Sequence, residues 1–94
     1  MNDIIETKID NKNGLFYIKS NDKIIAKLSF RFVDNEQFVI DSVEVNKEYE
    51  GKGYGKKLVA KSVEFARQNN MKITPRCSFA RRIFEITSDY KDVL

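Results

Sequence analysis

Glycines at 51, 53 and 55 punctuate the run Glu50-Gly51-Lys52-Gly53-Tyr54-Gly55, directly between an apolar strand pattern and an amphipathic helix pattern. Glycine lets the backbone adopt positive φ and approach a ligand with no Cβ in the way. The first turn of the helix that follows has unpaired N–H groups and a partial positive charge, which suit a phosphate or a diphosphate. Lys52, Lys56 and Lys57 add mobile positive charge beside it. The chemistry of this segment is anion binding. A Walker A loop needs four residues between its glycines and then Lys-Ser/Thr, but only three separate Gly51 from Gly55, and Lys57 stands where the hydroxyl belongs. A dinucleotide fingerprint needs glycine at the sixth position, which is Lys56. The bland use of the segment, a sharp strand-to-helix turn, needs fewer glycines than are present.

Absences narrow the chemistry further. The chain has no histidine and one cysteine, Cys77. No internal disulfide can form, the common Cys/His zinc sites are ruled out, and a Ser-His-Asp or Cys-His pair lacks its base. No metal is expected. Any catalysis falls to carboxylates, Lys, Tyr, Cys77, water or backbone amides. With 17 basic and 14 acidic side chains the net charge is +3. That suits an anionic ligand and falls short of a typical nucleic-acid-binding stripe.

The elements that must hold the loop can be read from periodicity. Residues 4–9 and 15–19 form two short strands around the turn Asp10-Asn11-Lys12-Asn13-Gly14, and Ser20-Asn21-Asp22 makes the next turn. In the third strand Ile24, Ala26, Leu28, Phe30 and Phe32 alternate with Ile25, Lys27, Ser29 and Arg31, one face core and the other mostly solvent. The fourth strand, residues 37–46, changes phase: Phe38 and Ile40 lie on even positions, Val43 and Val45 on odd ones. Either a β-bulge near Asp41-Ser42 or burial on both faces accounts for this. A helix over residues 54–68 presents Leu58, Val59, Ser62, Val63 and Ala66 as one stripe, with Asn69-Asn70 as its stop. Residues 71–74 form a fifth strand parallel to the fourth. Pro75 cannot donate a ladder bond, so the two strands should part there. Ser78 is the expected N-cap of a second helix, residues 79–86, and the tail from Thr87 is ambiguous.

Glu50-x-x-Gly53-x-Gly55 and the segment from Val43 to Leu58 resemble the acyl-CoA signature of the GNAT N-acetyltransferase superfamily, Arg/Gln-x-x-Gly-x-Gly/Ala at a strand-to-helix junction. Element order agrees, and Cys77-Ser78-Phe79 resembles a segment of the very small, single-domain members. The resemblance implies an α/β (α+β) domain over residues 1–94: a mixed sheet of about five strands, antiparallel except for a parallel strand-helix-strand unit, with two helices. It implies acetyl-CoA as cosubstrate and an amine of unknown identity as acceptor. Val43 and Val45 would contact pantetheine through their backbone, and Gly51, Lys52, Gly53, Tyr54, Gly55 and Lys56 would hold the pyrophosphate, with Glu50 and Phe79 beside them. Glu50 departs from the usual Arg or Gln, and the helices that ordinarily lie between the first two strands have no room.

Two catalytic candidates remain open. Glu44 is a base or acceptor-binding group, or a solvated carboxylate. Cys77 is a proton donor to the departing thiolate, an acetyl acceptor, or a space-filling thiol. The rival functions are a CoA-binding module with little or no transferase activity and a small basic nucleic-acid binder, whose stacking aromatics are not evident. The apolar run Phe38-Val39-Ile40 is too short to cross a bilayer, and Met1 to Glu6 lacks the basic-then-apolar order of a signal peptide. A cytoplasmic monomer is the expectation.

Overall fold

Turn chemistry aligns the first three strands. In the computed structural model, which describes residues 4–94, Asp10 Oδ1 accepts the N–H groups of Lys12 (2.8 Å) and Asn13 (2.7 Å) and closes β1 (Ile5–Ile9) onto β2 (Asn13–Ser20). Asn21 and Asp22 both take positive φ, 51° and 64°, as a primed two-residue hairpin turn requires, and lead into β3 (Lys23–Phe32). β4 (Gln37–Val45) follows, then a 3₁₀ turn at Lys47–Tyr49 and the helix α1 (Tyr54–Gln68). β5 (Lys72–Pro75), α2 (Ser78–Ile86) and a 3₁₀ segment, Ser88–Val93, complete the chain. Of the N-terminal segment read for a signal peptide, residues 1–3 lie outside the described residues.

The five strands form one sheet in sequence order, antiparallel except for β4 and β5, which run parallel across the α1 crossover. The mixed sheet with one parallel unit and two α-helices is therefore the architecture found. Phe16, Ile18, Leu28, Phe30, Phe38 and Ile40 pack against the α1 stripe of Leu58, Val59, Val63 and Ala66, all at most 2% exposed. Each of these Val, Leu, Ile and Phe side chains contributes about 1.5–3 kcal/mol. Phe65 stands in a ring cluster with Phe16, Phe30 and Phe38, centroids 5.6–5.8 Å away. Gly14 is required beneath it, since a Cβ there would sit 2.0 Å from the Phe30 ring. At the end of α1, Asn70 takes φ 54° and Met71 N–H donates to Ala66 O at 2.8 Å, a glycine-type C-terminal cap made with asparagine.

Two expectations are corrected, and the ambiguous tail is resolved. Ile24 is 42% exposed and Ile25 only 3%, because Ile18 pairs with Ala26 but Lys19 pairs with Ile24. Ile25 is the extra residue of a bulge, which turns its side chain inward. The cap of α2 is Cys77, whose sulfur accepts the Ala80 N–H at 3.3 Å, while Ser78 is the first helical residue. The tail is ordered onto the helices: Arg67 donates to the Asp92 carboxylate at 2.8 and 2.9 Å and to Asp89 O at 2.7 Å, Tyr90 packs edge-on against Phe84, and Val93 is buried.

Candidate functional site

The site begins with a change of hydrogen-bonding direction inside β4. Val33 N–H donates to Gln37 O (2.9 Å) and Arg76 N–H to Ile40 O (3.0 Å). Main-chain groups alternate along a strand, so Gln37 and Val39 bond toward β3 while Phe38 and Ile40 bond toward β5. Ser29 then pairs with Ser42 and Phe30 with Ile40, which leaves Asp41 as an extra residue. The bulge inverts the alternation. Asn46 N–H donates to Ile25 O (2.8 Å), so Glu44 bonds toward β3 and Val43 and Val45 turn their N–H and C=O toward the β5 side.

Nothing from β5 meets them there. The β4–β5 ladder runs from Gln37–Lys72 to Ile40–Pro75 and stops. The strands do part beside Pro75, but for a different reason than its missing donor. Lys72 and Arg76 both donate toward β4, so by alternation the Pro75 nitrogen faces the outer edge of the sheet, where no ladder bond is lost. Parting follows from the bulge and from the chain turning into α2 at Cys77. Of the two readings of the phase change, the bulge holds for Val43 and Val45. Burial on both faces holds only for Val39, 6% exposed.

The loop supplies the other half. Gly51 and Gly53 take φ 78° and 83°, and a Cβ at either would meet nothing within 4 Å, so backbone conformation is what demands glycine there. Gly55 is different. Its Cβ would lie 2.7 Å from the Phe79 ring, so glycine there permits close packing. Gly53 is the N-cap of α1 with no side-chain cap, and the first intrahelical bond is Lys57 N–H to Gly53 O (3.1 Å). The N–H groups of Tyr54, Gly55 and Lys56 thus point out of the helix start without helical acceptors.

These two parts enclose a cleft of about 470 Å³ lined by Val43, Val45, Tyr49, Glu50, Gly51, Gly53, Tyr54, Gly55, Lys56 and Phe79. Of the residues expected to bind the cofactor, only Lys52 is missing from this wall; its ammonium lies over the Tyr49 ring, 5.6 Å from the centroid. Tyr49 is the lining residue that sequence reasoning missed. It stands edge-on to Tyr54 at 6.1 Å, and the signal was an aromatic residue on either side of the glycines. Neither catalytic candidate lines the cleft. Glu44 lies on the opposite face of the sheet, 3.4 Å from Lys27, and Cys77 is half-buried at the start of α2 with its sulfur engaged by Ala80 N–H. Among the described residues no group of three or more His, Cys, Asp or Glu could hold a metal ion, and no helix is long and apolar enough to cross a membrane.

An elongated ligand fits this geometry: an anionic end on the helix-start amides, an amide-bearing arm along the free edge at Val43 and Val45, and apolar rings alongside. A family model described as GCN5-related N-acetyl-transferase matches residues 15–93. The NMR solution structure of a GCN5-like protein from Staphylococcus aureus is 41% identical, covers 96% of this chain and 85% of that one, and superposes with a TM-score of 0.75. Two more distant structures share the fold. A ribosomal-protein-alanine N-acetyltransferase from Brucella melitensis biovar Abortus 2308 is 17% identical over 81% of this chain, with a TM-score of 0.65. A GNAT family acetyltransferase from Elizabethkingia anophelis, solved with acetyl-CoA bound, is 19% identical over 79%, with a TM-score of 0.64. This chain spans 61% and 51% of those two proteins. No protein of curated function matches the sequence significantly. A free strand edge running into an uncapped, glycine-led helix start, a family match over residues 15–93 and a relative 41% identical over 96% of this chain lead to one conclusion: the chain belongs to the GCN5-related N-acetyltransferase family.

Proposed function

We propose that the protein binds acetyl-CoA in this cleft and transfers the acetyl group to an amine. The observation that carries the reading is the continuity of donors, from the Val43 and Val45 N–H groups to those of Tyr54, Gly55 and Lys56, along one wall of one cleft. The diphosphate lies on the helix start, where the amides and the partial positive charge favour it. Pantetheine lies along β4 as a strand would, and the Val43 N–H points at the thioester oxygen. Attack by a neutral amine converts the carbonyl to a tetrahedral oxyanion, which that N–H stabilises; collapse breaks the C–S bond. The attacking nitrogen then loses a proton and the thiolate gains one. In this reading Cys77, at the start of α2 where its sulfur accepts the Ala80 N–H, gives the proton to the thiolate, and Glu44 serves the amine where it approaches from the opposite face.

A second reading is a coenzyme-A-binding module with little or no transfer. The position of Glu44 and Cys77 outside the cleft lining favours it. One pair of measurements separates the two. In an NMR titration with acetyl-CoA, shifts are expected at Val43 to Val45, Gly51 to Leu58 and Cys77 to Phe79; silence at millimolar ligand removes both readings. Thiol release with a panel of amines then decides between them, since saturable binding without acetylation leaves only the module. Cys77→Ala is expected to abolish transfer and keep binding, and unchanged turnover would take Cys77 out of the mechanism.

A further inference from the structure

β1 is the first strand of the sheet, and among the described elements β2 is the one it pairs with. Asp10 N–H donates to Asn13 O at 2.9 Å, so by alternation Glu6 and Lys8 bond toward β2. Ile5, Thr7 and Ile9 therefore present their N–H and C=O groups outward, to an edge that no described element covers. Such an edge is a template for another strand unless it is blocked. Among residues 5–9 there is no proline and no bulge against β2, and the two charged residues, Glu6 and Lys8, are of opposite sign, so they repel a foreign strand but can pair with a copy of this one. Ile9 is 44% exposed at the end of it.

The side chains specify which strand fits. The sequence Ile5-Glu6-Thr7-Lys8-Ile9 is self-complementary about Thr7. An antiparallel copy centred there sets Thr7 opposite Thr7, Ile5 opposite Ile9, and Glu6 opposite Lys8. The outward backbone groups of Ile5, Thr7 and Ile9 then fall in hydrogen-bonded pairs, about six bonds in all. Glu6 and Lys8 fall in the intervening non-hydrogen-bonded pairs, where strands come closest and opposite charges interact best. The isoleucines lie on the helix-bearing face, since Ile5 pairs with Ile18 and Ile9 with Gly14, while both ion pairs lie on the other face. Backbone parity, charge and apolar pattern agree on one register.

We propose that β1 pairs edge to edge with β1 of a second copy of this chain, joining two sheets across a two-fold axis through Thr7. The contact is isologous, and its small extent puts it among weak, transient interfaces, with a dissociation constant on the order of 100 µM. It stands independently of the coenzyme reading, because β1 is remote from the cleft lining.

Sedimentation equilibrium of the full chain between about 10 µM and about 1 mM tests it. A monomer–dimer equilibrium is expected, weakened at least about tenfold by Lys8→Glu and equally by Glu6→Lys, and restored in the double reversal. Thr7→Pro is expected to give a monomer with an unchanged melting curve, because the Thr7 N–H faces outward and the β2 ladder loses nothing. Monomer at every concentration, or a dimer that neither charge reversal weakens, overturns the proposal. A dimer disrupted by the single reversals but not recovered in the double one also overturns it, because the register is then wrong. If Thr7→Pro does not fold, the charge cycle decides alone.

Discussion

The two halves of β4 both carry apolar β-branched residues and have opposite fates. In Phe38-Val39-Ile40 every residue is at most 6% exposed, and the backbone is bonded to β3 on one side and β5 on the other. In Val43-Glu44-Val45 the valines are half-buried, the β3 side is bonded and the β5 side is free. One inserted residue, Asp41, lies between them. Apolar β-branched residues therefore do not make a strand segment core or site; the neighbour opposite its outward backbone groups does. A strand half with no neighbour keeps unpaired donors beside an apolar wall, and that combination is what a ligand arm with amides can use.

Substitutions can break or sharpen this contrast. The largest effect is expected in the closed half. Phe38→Ala, at a fully buried ring that touches Phe30 and Phe65, should cost about 3–5 kcal/mol in chemical denaturation. At the loop that completes the open half, Gly53→Ala imposes a Cβ on a backbone at φ 83°. It should cost about 1–2 kcal/mol of stability and weaken acetyl-CoA binding about tenfold by calorimetry. Val43→Ala, in the open half, should cost only about 1 kcal/mol, because its side chain is half solvated. A loss as large as that at Phe38 would mean that the two halves are equally core.

Pro75→Ala should change stability by less than about 1 kcal/mol and leave the β4–β5 ladder ending where it does, as judged by inter-strand NOEs. Extension of pairing to Val43 would restore the proline as the cause of the gap. The smallest effect concerns the tail, which is tied to β5 by the Lys72 ammonium donating to Asp92 O. The hydrogen bond from Arg67 holds the Asp92 carboxyl below its ordinary value in the folded state. Stability from this contact is thus fully present above the unfolded carboxylate pKa and lost as pH falls through the lower folded value. Protection factors of the amides of residues 88–93 should fall below about pH 4 while those of Phe38 to Ile40 are unchanged. Acid that opened the sheet first would reverse the order of these two regions.

Much of this was legible in the residues. Asp10 and Asn21-Asp22 declare their turns because Asx side chains and positive φ have few other uses, although the first turn closes sooner than expected, with Asn13 and Gly14 already in β2. All five residues of the expected α1 stripe are buried, and Gly55 joins them. The bulge showed as a shift of apolar residues from even to odd positions, since side-chain phase and backbone direction are coupled along a strand. The bulge at Ile25 hid, because isoleucines on both sides of the shift blurred the phase. Ser78 looked the better cap by type, yet Cys77 occupies the extended position before the helix, and position decides which side chain reaches the third N–H.

By itself, the sequence determined local conformation and the positive, anion-favouring character of the loop: glycines at positive φ, an uncapped helix start, a register change in one strand. Those properties depend on a few adjacent residues. Tertiary structure decided which groups share the cleft, bringing Tyr49 in and leaving Glu44 and Cys77 outside its lining. It also decided that Pro75 has its nitrogen at the sheet edge. Such outcomes depend on the direction in which each backbone group points once strands from distant parts of the chain have paired, and spacing along one segment does not specify that direction.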